Sequence, residues 1–303
     1  MDLSGQLIVA FGGAGNLSEV FVYAAAVSGA KIVLADYVPP QPPERDRAEA
    51  RIKEVARNVH DLSGYGMPLV VSADVTDPTD VRAAVEEIVN REGRIDTVVD
   101  FAGVHHRPFE LSDDEISDTA EIFRRVMDVN LAGAFNVTAA VAKPMVRQGA
   151  GHIIHLCSSG SRLSLYGSYA YNASKHGLEG LIKTAAAQLA RFGVRVNGIA
   201  PGTVETNLNR ELLRDTAGNP KLRAKSILAH TPTKRFVTRE GVAETLVGMC
   251  VPQRHLTGNV VFADDGYNIE GHSWPEGTQA VYEGQEAVDS LYEELKRRYR
   301  SET

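Results

Sequence analysis

Residues 7–36 run Leu7-Ile8-Val9-Ala10-Phe11, then Gly12-Gly13-Ala14-Gly15-Asn16-Leu17-Ser18, then a helical stretch to Val27, then Lys31-Ile32-Val33-Leu34-Ala35-Asp36. A short apolar run closed by glycines reads as a buried strand. Helical spacing from Glu19 to Val27 and a second apolar run complete a strand–turn–helix–strand unit, the building block of parallel sheets. The alternation continues outward. Leu69-Val70-Val71-Ser72, Thr97 to Phe101, His152 to Leu156, Val194 to Ala200 and Asn259 to Ala263 are further apolar runs. Helical periods lie between them: from about Arg45 (Ile52, Val55, Val59 and Leu62 on one face), from Asp77-Pro78, from Thr119 to Arg147, from Tyr169 to Phe192 and from Glu240 to Cys250. This pattern predicts an α/β fold, a doubly wound parallel sheet of about seven strands with helices on both faces. Its ligand crevice is expected at the carboxyl ends of the strands.

No repeat or low-complexity linker divides residues 1–270, which read as one domain with a mostly helical, polar insertion at about 205–230. Residues 271–303 are polar, with apolar spacing through Val281, Val288, Leu291 and Leu295, and read as a C-terminal helical extension. The 303 residues carry 32 Lys+Arg against 39 Asp+Glu, a net charge of −7, so the basic stripe needed by nucleic acid or anionic membrane is missing. Apolar content of 43% against 23% charged is ordinary globular composition. No apolar run has the length of a membrane span, and the start lacks a signal peptide's order of charge then apolarity. Two cysteines are too few for a disulfide framework. A cytoplasmic, globular protein is expected.

A glycine turn between strand and helix lets backbone N–H groups and a helix N-terminus meet a pyrophosphate. Gly12, Ala14, Asn16 and Leu17 are the turn positions read as cofactor contacts. Asp36 ends the second strand, where a carboxylate accepts from both adenosine ribose hydroxyls and repels a 2′-phosphate, which points to NAD over NADP. The competing reading is a solvated turn residue. Asp74-Val75, after the third strand, has two readings of equal weight: Asp74 accepts from the adenine amino group, or it belongs to a helix cap.

Tyr171 and Lys175 stand at i and i+4 and share a helix face. Chance produces such a pair often enough that spacing alone decides nothing. Ser158, thirteen residues earlier and just after the fifth apolar run, brings a hydroxyl to the same end of the sheet. A phenol titrates near pH 10, a nearby ammonium favours phenolate, and proton transfer is efficient when the group is poised near the working pH. Hydroxyl, phenol and ammonium therefore suit the proton side of a hydride transfer between alcohol and ketone, the hydride itself being carried by a cofactor.

Around these residues lie Val129-Asn130-Leu131-Ala132-Gly133, the run from Arg195 through Asn197, Pro201 and Gly202 to Thr206, and Thr257-Gly258-Asn259-Val260. Together with Tyr171-x-x-x-Lys175 and Ser158 they resemble the short-chain dehydrogenase/reductases, over about residues 5–270. The resemblance implies a Rossmann fold and an NAD-dependent oxidoreductase acting on CH–OH groups as a homodimer or homotetramer. It implies Tyr171 as general acid/base, Lys175 as modulator and ribose ligand, Ser158 as carbonyl orienter, and Asn130 as holder of a relay water. Ala102 and Gly103 would contact the cofactor, and Pro201, Gly202, Val204 and Thr206 its nicotinamide carboxamide. The chain departs from the family where Asn16 and Ser18 replace glycines of the first turn. It departs again at Asp100-Phe101-Ala102-Gly103, where Asn-Asn-Ala-Gly is usual, and at Asp264-Asp265-Gly266, where Asp-Gly-Gly is usual. Asn16 is expected to keep a glycine-like positive φ, Ser18 to cap the helix or offer its hydroxyl to phosphate, and Phe101 to fill a core gap, with NAD binding weakened but retained.

Three further stretches, Ala142 to Gly149, Asn209 to Leu213 and Ile227 to Pro232, are similar to the branch acting on sugar acids and polyols, the mannonate/fructuronate oxidoreductases included. The expected substrate residues are His105, Arg162, Tyr166 and Arg210, with His106, Arg107 and Asn209 beside them; an Arg clamps a carboxylate bidentately. Solvated loop charge is the competing reading for each. His105, His106 and Glu110 do not make a metal site, because Pro108 breaks a shared helical face and no third ligand is in view. Two other classes stay open at this level: a nicotinamide-dependent epimerase without net redox change, and a non-catalytic, degenerate nucleotide-binding module.

Overall fold

The computed structural model describes residues 1–106, 116–165, 167–206, 209–252 and 255–269, with side chains in the 116–127 helix from residue 119. The strands are β1 (Leu7–Phe11), β2 (Lys31–Asp36), β3 (Leu69–Ser72), β4 (Thr97–Asp100), β5 (Gly151–Leu156), β6 (Val194–Pro201) and β7 (Val260–Ala263). They form one sheet in the order β3-β2-β1-β4-β5-β6-β7. β1 pairs in parallel with both β2 and β4, so the winding direction reverses between β1 and β4 and a crevice opens at their carboxyl ends. β1 and β4 are buried throughout because helices cover both faces, which is why their sequences are continuous apolar runs.

The helices are α1 (Asn16–Val27), α2 (Glu44–Leu62), α3 (Pro78–Glu92), α4 (Ile116–Met127), α5 (Ala134–Gln148), α6 (Tyr169–Leu189), α7 (Arg210–Leu213), α8 (Leu222–Ala229) and α9 (Arg239–Cys250). Phe21, Val22, Ala25 and Ala26 form the buried face of α1; Leu178, Ile182, Ala185, Ala186 and Leu189 form that of α6. Ile52, Val55, Ala56 and Val59 face inward on α2. Leu62, expected on that face, is instead 45% exposed, because α2 ends there and Ser63 is extended. Asp77 caps α3, accepting from the Thr79 and Asp80 N–H groups, with Pro78 in the first turn where its missing donor costs nothing.

The single helix expected over 119–147 is two α-helices joined by a π-helical segment, Asp128–Gly133, with Asn130 inside it. Such wide turns recur at functional sites. At Gly133 any Cβ would stand 2.8 Å from Val75 Cγ2, so the segment presses directly on the turn after β3. Asn136 Nδ2 donates to the Val75 carbonyl at 2.9 Å and fixes the same turn.

The residues gather into two compact units: Met1–Ala200 with Arg239–Val261, and Pro201–Thr238 with Phe262–Thr303. In the second, Val204 bridges Val237, Gly202 N–H donates to Ala263, and the Arg214 guanidinium grips the Glu205 carboxylate through bonds of 2.8–3.1 Å. The tail expected at 271–303 lies outside the described residues. No helix among the described residues is long and apolar enough to cross a membrane.

Candidate active site

At the β1/β4 switch point lies a cavity of about 720 Å³. Gly12, Asp36, Asp74, Val75, Ala102 and Gly103, all expected at the cofactor, line it together. Gly12 has φ +65°, and a Cβ there would meet Ala102 N at 3.0 Å, so only glycine lets the first turn lie against the turn after β4. Asp36 Oδ2 accepts the Ala14 N–H at 2.8 Å and Oδ1 accepts the Tyr37 N–H at 2.8 Å. Each oxygen keeps a second lone pair for a ribose hydroxyl. Burial pushes the Asp36 carboxyl above its ordinary value, against the two N–H bonds that draw it down. Asp74 Oδ1 accepts from the N–H and hydroxyl of Thr76, while the cap of α3 is Asp77 and Asp74 lines the groove. The groove has glycines and a half-buried carboxylate in its wall and a volume within the usual range for ligand sites.

The first turn departs from expectation at both substituted positions. Asn16 does not adopt positive φ; among the described non-glycine residues only Lys234 and Asp265 do. Gly15 is the cap residue, and Asn16 is simply the first residue of α1. Ser18 neither caps the helix nor faces phosphate: it is fully buried, and its Oγ has no hydrogen-bond partner. Ser18 is the third residue of α1, on its buried face, and is not among the residues lining the groove. An unsatisfied buried hydroxyl is a net cost. Ser18→Ala is expected to stabilise the fold by about 1 kcal/mol, read as a raised urea midpoint at unchanged slope; a lowered midpoint would show that the hydroxyl is satisfied.

Tyr171 and Lys175 occupy the first turns of α6, with Lys175 Nζ 5.6 Å from the Tyr171 ring centroid. Lys175 is 3% exposed and donates to the Leu156 carbonyl at the end of β5 at 2.6 Å, so strand end and helix share one anchored ammonium. Ser158 opens the 3-10 turn Ser159–Ser161 and accepts the Gly160 N–H at 3.1 Å, leaving its O–H to donate. That turn lies on the start of α6, where a Cβ at Gly160 would stand 2.9 Å from Asn172 Oδ1. Asn130 Oδ1 accepts the Val104 N–H at 2.8 Å, while its Nδ2 donates to the Val104 carbonyl at 3.0 Å and to Ser174 Oγ at 3.1 Å. Both side-chain donors of Asn130 are engaged, so it holds the segment after β4 against α6. His105, expected at the substrate, packs its ring 4.5 Å from that of Tyr171. Its Nδ1 lies 2.6 Å from the His106 carbonyl, which places a proton on Nδ1.

Arg162 is half-exposed and pairs with Glu179 at 3.4 Å. Tyr166 and Arg107 lie outside the described residues, as does Glu110. Pro201, Gly202, Val204, Thr206 and Arg210 belong to the second unit, where Thr206 N–H and Asn209 Nδ2 close a turn through Asn209 Oδ1 and the Val204 carbonyl. Asn16 and Leu17 are half-buried at the start of α1 and are not among the residues lining the groove. Sequence reasoning missed Glu121, Arg124, Arg125 and Asp128, which line the groove from α4 and the π segment. Their position in the roughly two and a half turns before Asn130 was the available signal. Burial pushes the Cys157 and Cys250 thiols up to about 12, which removes both as nucleophiles.

A doubly wound sheet with a carboxylate in its switch-point groove, and a Tyr–Lys pair anchored to the neighbouring strand end, defines a nicotinamide-dependent oxidoreductase. Residues 17–268 match a family model described as enoyl-(acyl carrier protein) reductase. The chain is 30% identical to the 3-oxoacyl-(acyl-carrier-protein) reductase FabG of Thermotoga maritima over 270 residues, 89% of this chain and 100% of that protein. Among solved structures it is similar to levodione reductase (TM-score 0.77, 26% identity, 88% of this chain and 99% of that one). It is also similar to a gluconate 5-dehydrogenase from Burkholderia cenocepacia in complex with NADP and tartrate (TM-score 0.76, 30% identity, 89% and 98%). The chain belongs to the short-chain dehydrogenase/reductase family and is an oxidoreductase of alcohol and ketone groups that uses a nicotinamide cofactor.

Proposed function

We propose that the chain is an NAD-dependent dehydrogenase interconverting a secondary alcohol and a ketone on a small hydroxylated substrate, a sugar acid or polyol. A bound nicotinamide supplies or accepts the hydride. The chain's own residues do the rest. Tyr171 exchanges a proton with the substrate oxygen, Ser158 donates a hydrogen bond that orients it, and Lys175 stabilises negative charge developing on the phenolic oxygen. His105, against the Tyr171 ring, bounds the place where the substrate oxygen would sit. The similarity to a gluconate 5-dehydrogenase supports the substrate class. The epimerase and non-catalytic readings gain no support from these relatives.

The observation that carries the choice of NAD is the half-buried Asp36 carboxylate at the end of β2, lining the groove with its two oxygens aimed by backbone N–H groups. A 2′-phosphate there would face a like charge in a partly desolvated site. The gluconate 5-dehydrogenase with its NADP describes that protein's choice. Calorimetry is expected to show NAD binding at least about tenfold tighter than NADP, a difference of about 1.4 kcal/mol, with the ratio shrinking several-fold in Asp36→Asn. Equal or tighter NADP binding by the native chain would overturn the assignment, and absence of binding by either dinucleotide would overturn the cofactor reading altogether.

A further inference from the structure

Asp100 ends β4 and lies in register with Phe11 of β1 and His155 of β5. It is 3% exposed and His155 is 0% exposed. A carboxylate in the middle of a sheet is costly unless it is paired and hydrogen-bonded. Asp100 is both. Its Oδ2 lies 3.0 Å from His155 Nδ1, and His155 Nε2 lies 2.9 Å from Thr138 Oγ1 on α5. Thr138 donates its one hydroxyl proton to the Ala134 carbonyl at 2.8 Å, so towards the ring it accepts. The ring then donates its Nε2–H to Thr138, one further proton is shared between Asp100 and His155 Nδ1, and the pair is net neutral.

The other carboxylate oxygen points toward function. Asp100 Oδ1 accepts the Ala102 N–H at 3.1 Å. Ala102 is the atom-to-atom neighbour of the first glycine turn: a Cβ at Gly12 would meet Ala102 N at 3.0 Å and Phe101 C at 3.1 Å. One residue on, a Cβ at Gly103 would stand 3.5 Å from Asn130 Oδ1 and 3.8 Å from Lys175 Nζ. Next, Val104 is clamped by Asn130 through two bonds. The strap 101–104 therefore touches the glycine turn on one side and Asn130 and Lys175 on the other, and the Asp100 carboxylate holds its first free N–H. Phe101, packed 5.5 Å from Phe21 of α1, gives the strap apolar ballast, and its N–H donates to the Phe11 carbonyl at 2.9 Å as the last bond of the β1–β4 ladder.

We propose that Asp100, locked by His155 and Thr138, is a positioning residue that sets the 101–104 strap in register with the glycine turn and so determines dinucleotide affinity. The inference rests on the groove being the cofactor site.

Two variants separate positioning from mere structure. In Asp100→Asn the carboxamide oxygen still accepts from Ala102 and the amide donates to a neutral His155, so every bond is kept; NAD affinity within about threefold of native is expected. Asp100→Leu combined with His155→Leu replaces the pair by apolar groups, an exchange that is commonly neutral or stabilising for the fold, but leaves Ala102 without an acceptor. That double variant is expected to stay folded and to bind NAD about tenfold more weakly by calorimetry. Its Ala102 amide is expected to exchange with solvent at least about tenfold faster in the ligand-free protein, while β4 and β5 amides stay protected. A folded double variant with native NAD affinity and a protected Ala102 amide overturns the proposal, as does an Asp100→Asn variant as impaired as the double one. A native chain that binds neither NAD nor NADP overturns the cofactor reading instead, and the positioning role falls with it.

Discussion

Tyr171→Phe is expected to lower turnover by about a thousandfold, the scale of a lost general acid/base, with NAD affinity unchanged within a few-fold. The substitution removes one oxygen. The ring that packs 4.5 Å from His105 remains, and so does the volume beside the Lys175 ammonium, 5.6 Å from the ring centroid. What disappears is the phenol beside that ammonium and, on the proposed role, the proton that accompanies each hydride. The check is steady-state nicotinamide absorbance on whichever alcohol of a sugar-acid and polyol panel the native chain oxidises, paired with calorimetry for NAD. Turnover near native would remove Tyr171 from the chemistry and leave it a packing residue at the groove.

Lys175→Met should damage more than one property. The methionine stem fills the volume of the lysine chain, so packing is largely kept. The Leu156 carbonyl, however, loses a donor at 2.6 Å in a setting where the lysine is 3% exposed. An orphaned buried carbonyl costs about 1–3 kcal/mol of stability, and the end of β5 loses its tie to α6. On the roles proposed for Lys175, loss of the charge also removes the stabilisation of a developing phenolate and a donor to the cofactor ribose. Turnover is expected to fall by about a hundredfold or more, the NAD dissociation constant to rise about tenfold, and the thermal midpoint to drop. A midpoint that drops while NAD binding holds would assign Lys175 to structure and charge alone, and would contradict a ribose contact.

The contrast between the two variants follows from where their functional atoms are held. Tyr171 is half-buried, with its ring against His105 and beside the Lys175 ammonium. Lys175, Asn130 and Asp100 are buried, and each completes bonds that join the carboxyl end of one strand to the next element. Substituting these three therefore mixes stability with function. The Tyr171 and Asp36 variants read function with less confusion.

Periodicity was enough to recover the seven strands and most helices between them, though α4 and α5 read as one, because a doubly covered strand must be apolar throughout and a covering helix apolar on one face. Spacing brought Asp36 to the end of β2 and Tyr171 with Lys175 to one helix face, since both relations are local to an element whose geometry is regular. Tertiary contact decided the rest. Asn16 was expected to imitate glycine, yet the turn closes at Gly15 and Asn16 takes ordinary helical geometry. Ser18 was expected to cap the helix or offer its hydroxyl to phosphate, yet packing buries that hydroxyl without a partner. The π segment around Asn130 arises where Gly133 meets Val75, 58 residues away in the chain, and no local pattern encodes that pressure. Asp100 and His155 look like two unrelated polar residues ending and interrupting apolar runs. They become one neutral pair only because β4 and β5 lie side by side in register, 55 residues apart in sequence. Local sequence determines which face of an element is buried, whereas the partner of a buried polar atom is set by the strand or helix that packing brings against it.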